Sequence, residues 1–98
     1  MCTTFDETVG ELRVTQAYIE LLSIPEKRSG TRMVPVARTE SYEIRMLRFS
    51  EDGFNSEPAI WMVLVELGTQ LLLDSGRCSE IEGALVVFKE FITQVKTV

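Results

Sequence analysis

The chain has 98 residues, 45% of them hydrophobic and 26% charged, with ten basic against fifteen acidic side chains and a net charge of −5. That is enough chain for one domain with its own core, and the balance is that of an ordinary globular protein rather than a disordered or disulfide-framed one. There is no histidine, so Ser-His-Asp and Cys-His catalysis are excluded, and zinc loses its most frequent ligand.

The expected organisation is a single globular domain over residues 1–98, with no catalytic residue, cofactor or metal centre. The start, MCTTFDETVGEL, carries acids and no basic segment, unlike a secretory signal. Two cysteines, Cys2 and Cys78, fit a reducing cytoplasm. The longest apolar run, Ala59 to Val65, is far shorter than the ~20 residues of a membrane span, so no membrane partner is expected.

In chain order, the spacing of Phe5, Val9, Leu12, Ala17, Leu21 and Ile24 predicts a helix over 6–23, opened by a Thr4–Glu7 capping box and closed by Pro25. Residues 25–40 read as a loop, with an edge strand over Arg32 to Ala37 at most, because Pro35 lacks a ladder donor. From Tyr42 a period of two begins: Tyr42, Ile44 and Met46 alternate with charges, then the phase passes to Leu47 and Phe49. Such a slip predicts a bulge near Met46 or Leu47. SEDGFNSEP is a polar turn, in which Glu51, Asp52 and Glu57 form a solvated loop rather than an acid–base pair or a calcium ladder. Residues 59–67, apolar at nearly every position, predict a central strand, and Gly68-Thr69 turns into a third strand at 70–74.

The stretch DSGRCSEIEGALVVFKEF holds the residues that most resemble chemistry. A Gly, an Arg and a Cys stand before a helix whose stripe is Ile81, Leu85, Phe88, Ile92 and Val95, widened by Ala84 and Phe91. A helix start can bind an anion or sharpen a thiol. Here Glu80 and Glu82 already place negative charge on the helix end, and Cys78 has neither a base nor a second thiol within the motif. The stretch is therefore expected to be structural, with Gly76 ending the strand and Ser79 and Glu82 forming a capping box.

The predicted fold is α+β: a three-stranded antiparallel sheet with N-terminal and C-terminal helices, order α-β-β-β-α, the C-terminal helix packed across the sheet. This order resembles the double-stranded RNA-binding domain family, and loosely also small antitoxin-like strand-helix modules. Where the RNA-binding domains carry basic residues at the start of the final helix, this chain has Ser79-Glu80-Ile81-Glu82, and its first hairpin loop is acidic. Both places would repel phosphates.

Charge is uneven. The strip Lys27, Arg28, Arg32, Arg38, Arg45 and Arg48 carries a local +4 after Glu40 and Glu43 are counted, and the rest of the chain carries −9. Such a strip would serve nucleic acid in an alternative reading, yet in so acidic a chain it fits an acidic protein surface or a second copy better. Apolar residues also outnumber what two helices cover: Trp61 and Met62 lie on opposite faces of the central strand, Val86 points off the helix stripe and Val87 sits at its margin. These four form the candidate partner surface. The expected role is a small non-enzymatic interaction or regulatory module that pairs with a protein, a homodimer included, with a small-ligand pocket between sheet and helices as a further alternative.

Overall fold

The computed structural model describes residues 7–23, 30–50 and 59–96. They form α1 (Glu7–Leu22), β1 (Gly30–Arg38), β2 (Tyr42–Ser50), β3 (Ala59–Glu66), β4 (Leu72–Cys78) and α2 (Ile81–Lys96). The strands make one antiparallel sheet, β1-β2-β3-β4, each paired to its sequence neighbour. The class is α+β as expected, but the order is α-β-β-β-β-α, with four strands in place of three. Thr4, Cys2 and the acidic turn at 51–57 lie outside the described residues.

The additional strand is β1. Two features hide it from a periodicity reading. Pro35 is tolerated because β1 is an edge strand, with only one side needing ladder donors. Straight after it the register jumps from Pro35↔Arg45 to Ala37↔Ile44, and this bulge turns Val36 and Ala37 both toward the core. At the far end, the Thr39 hydroxyl accepts the Tyr42 amide (3.1 Å) while the Thr39 amide donates to the Tyr42 carbonyl (2.8 Å), closing the turn into β2.

The bulge expected near Met46 or Leu47 is absent. β2 runs against β3 without a shift, from Tyr42↔Glu66 to Phe49↔Ala59. Ile44, Met46 and Arg48 share one face, and Glu43, Arg45 and Leu47 share the other. The hydrophobic pattern slips only because an arginine occupies an inward position and a leucine an outward one.

β4 also departs from expectation, covering Leu72–Cys78 rather than 70–74. Its register skips Leu73, between Val65↔Leu72 and Leu64↔Asp74. Gly76 does not end it. It lies inside the strand opposite Met62, where a Cβ would come within 3.0 Å of Val87 Cγ1. The glycine is there for helix–strand approach rather than for a turn. The chain enters β4 through Gln70, whose φ of 59° is left-handed; its carboxamide donates to the Leu67 carbonyl at 2.9 Å and so offsets part of that strain.

Both helices pack on one face of the sheet. The core joins Val14, Ala17, Tyr18 and Leu21 of α1, Val36, Ile44, Met46, Ile60, Met62, Leu64 and Cys78 of the sheet, and Ala84, Phe88, Phe91 and Ile92 of α2. The buried face of α1 is therefore Gly10, Val14, Ala17, Tyr18 and Leu21, while Val9 and Leu12 of the predicted stripe are exposed. Gly10 decides that rotation, since only a residue without a side chain lets α1 sit against the Phe88 ring. Lys89 Nζ meets Glu11 Oε1 at 3.4 Å beside this contact, while Tyr18, farther along α1, lies near Glu80 at the start of α2, so the helices run antiparallel. The first bond of α2 is from the Ala84 amide to the Glu80 carbonyl (3.0 Å), which makes Glu80 the cap. Among the described residues the Ser79 hydroxyl makes no capping bond, because β4 continues through Cys78 and the helix starts one residue late.

Candidate functional site

Both helices pack on one face, so among the described residues the second face of the sheet is bare. Register pairs arrange its side chains in three rows across the strands: Arg38, Glu43, Val65 and Leu72; then Pro35, Arg45, Val63 and Ser75; then Met33, Leu47, Trp61 and Arg77. Its inner positions hold Val63, Val65, Leu47 and Trp61 beside the Glu43–Arg45 pair, and two of its corners, Arg38 and Arg77, are charged while the other two, Met33 and Leu72, are apolar. Met33, Leu47, Trp61, Val63, Val65 and Leu72, together with Arg45 and Ser75, line an open hollow of about 340 Å³. Val63 and Val65 form its floor, already shielded by their neighbours. Met33 (51% exposed) and Leu72 (59%) stand at its rim, and Leu71 and Leu73, the chain neighbours of Leu72, are exposed as well.

The two charged groups in the middle of this face hold each other. Arg45 Nε pairs with Glu43, and its Nη2 reaches Gln70 Oε1 at 3.4 Å. Glu43 is buried by that partnership.

The four residues expected to form a partner surface separate in space. Trp61 lies half-buried on the bare face. Met62 is fully buried under the helices, so it leaves the surface. Val86 is exposed on the back of α2, on the opposite side of the molecule, and Val87 packs onto Gly76. Sequence reasoning missed Met33, Leu47 and Leu72. The alternation of Leu47 with Arg48 carried that signal, and it read as a bulge.

The basic strip is dispersed too. Lys27 and Arg28 lie outside the described residues. Arg32 and Arg38 are exposed on β1 but point to opposite faces, Arg45 is ion-paired and Arg48 is buried. The described part of the strip makes no continuous cationic surface.

The stretch before α2 is held by packing. Cys78 is a free, buried thiol whose Sγ donates to the Gly76 carbonyl at 3.7 Å. Burial pushes its pKa above the ordinary value, against a smaller lowering by a backbone hydrogen bond with Met62. Arg77, adjacent in sequence, stands on the other face opposite Trp61. Tyr18 lies over this end of the sheet, and its phenol is raised first by burial, then by the nearby Cys78 and Glu80. A thiol held protonated is a poor nucleophile. Among the described residues no three His, Cys, Asp or Glu side chains gather to hold a metal ion, and no helix is long and apolar enough to cross a membrane.

The chain matches no protein-family profile, no curated protein and no solved structure. Its fourth strand also separates it from the element order on which the RNA-binding resemblance rested.

Proposed function

We propose that this chain is a small non-enzymatic protein–protein interaction module that works through the bare face of its sheet, with the same face of a second copy as its partner. The observation that supports it is the one-sided packing of α1 and α2, which leaves Met33, Leu47, Trp61 and Leu72 turned away from the core around a hollow that also holds Arg45 and Ser75. Apolar sheet faces stack about 10 Å apart in sandwiches, and interfaces are apolar at their centre.

Magnitudes set the strength of the contact. Fully burying a Leu or Met side chain stabilises by ~1.5–3 kcal/mol. Met33 and Leu72 are about half exposed, so each contributes roughly half of that, twice over in a symmetric pair. Val63 and Val65 add little because they are already shielded. That sum, ~3–6 kcal/mol for the pair, does not by itself exceed a cost of association of ~4–15 kcal/mol, so the pair must also draw on the half-buried Leu47 and Trp61 and is weak, forming and separating with concentration.

Sedimentation velocity across a wide concentration range tests this. The parent should shift from monomer toward dimer as concentration rises, Trp61→Glu should stay monomeric while folded, and Val86→Glu on the back of α2 should behave as the parent. A parent that sediments as a monomer throughout would overturn the reading.

A further inference from the structure

Arg48 is the least explained side chain of the fold. It projects from β2 onto the helix-covered face, in line with Ile44 and Met46, and is only 2% exposed. Its Nε is buried and finds no hydrogen-bond partner among the described residues. The ion pairs among the described residues are Arg45–Glu43, on the other face, and Lys89–Glu11, between the helices, and neither involves it. A buried guanidinium N–H without an acceptor is strongly disfavoured.

A second observation concerns its neighbours in the sheet. The register places Arg32 of β1 directly opposite Arg48, on the same face, with Ile60 on the other side and Cys78 one strand further. Like charges directly opposite each other across a strand pair oppose the pairing. Glu80 lies at the Cys78 end of this row, beside Tyr18 rather than beside Arg48. Two cations thus share one end of the helix–sheet interface, one buried and one exposed, with no acid from the described residues between them.

We infer that Arg48 and Arg32 form a binding site for a small oxyanion, a carboxylate or phosphate group carried by a low-molecular-weight ligand. Arg48 supplies the buried donors, since the Nε and one Nη of a guanidinium present two parallel N–H groups to two oxygens of one anion. Arg32 closes the solvent side. Approach is from β1, which is an edge strand and has Arg32 exposed upon it. One anion accepts from the orphaned Nε and cancels the repulsion between the two arginines. The site is on the opposite face from the proposed docking surface and does not depend on it.

The test is thermal unfolding of the full chain titrated with inorganic phosphate and, separately, with acetate, chloride holding ionic strength constant. A saturable rise in Tm with either anion is expected; phosphate alone or acetate alone identifies which group the site takes. Arg32→Ala should weaken the response about tenfold, as loss of one charge-assisted contact does. Arg48→Met should abolish the response and also raise the Tm in anion-free buffer, because it removes a buried N–H that has no acceptor among the described residues. Indifference of the parent to both anions would overturn the inference. So would an Arg48→Met variant that unfolds at lower temperature than the parent without anion, since the guanidinium would then already be paired within the chain.

Discussion

Replacing Gly10 by alanine tests the packing that orients the whole helical layer. A Cβ at this position would lie 2.2 Å from Phe88 Cζ and 2.8 Å from Cε2, whereas carbon atoms in contact sit at roughly 3.5–4.0 Å. Phe88 is fully buried, so its ring cannot swing into solvent to make room. Overpacking of this kind costs about 1–3 kcal/mol. Alanine also improves helix propensity by ~0.8–1.0 kcal/mol, which offsets part of the clash. The net expectation is a loss of up to about 2 kcal/mol, read as a fall of ~4–8 °C in Tm for each kcal/mol in a domain of this size. Gly83 in α2 is the control. A Cβ there meets nothing within 4 Å, so Gly83→Ala should stabilise by about 0.5–1 kcal/mol. Urea denaturation of both variants, with Gly10→Ala repeated in a Phe88→Leu background, completes the cycle; the smaller side chain should relieve the clash and make the two substitutions non-additive. If Gly10→Ala stabilises as Gly83→Ala does, α1 does not approach Phe88 and the helical layer is arranged differently.

Two further outcomes follow from burial. Phe88→Ala should cost about 3–5 kcal/mol by emptying the ring site between the helices and the sheet, while Val86→Ala, on the exposed back of α2, should stay within about 0.5 kcal/mol of the parent; both are read from urea midpoints. Raised folded-state pKa values for Cys78 and Tyr18 mean that their neutral forms support folding. Their contribution is fully present below the ordinary thiol value of 9.0 and is lost as pH rises through the raised values. Denaturation midpoints should thus be flat on the alkaline side of neutrality and fall beyond it. Cys78→Ala should move the onset of that fall to higher pH, leaving the Tyr18 part, and an unchanged onset would contradict the buried thiol.

Elements with one dominant pattern could be read from the residues. α2 and β3 were placed within a residue or two because a helical stripe around Phe88 and an unbroken apolar run at 59–65 have no competing period. α1 was found but rotated: Val9 and Leu12 supplied apolar weight, while the residue that fixes the rotation is Gly10, which has no hydrophobic signal at all. β1 was obscured by Pro35 and the bulge at Val36, features that an edge strand tolerates and a periodicity count does not. The candidate surface failed for a related reason. Which face of a strand the helices cover is decided by packing, so Met62 and Trp61 looked equivalent until the helices took the Met62 side. Arg48 shows the same limit, since nothing in its neighbours along the chain marks an arginine as buried.

The chain contains one tryptophan, Trp61, and it stands on the bare face beside Leu47 and Arg77. Acrylamide quenching of its fluorescence, followed from high-micromolar to low-nanomolar protein, therefore reports on that face and nothing else. Covering by a second copy predicts weak quenching and a blue-shifted emission at high concentration, with both lost on dilution, and strong quenching at every concentration in Leu72→Glu. Quenching that is independent of protein concentration, and identical in the parent and a folded Leu72→Glu variant, would contradict the assignment of this face to self-association.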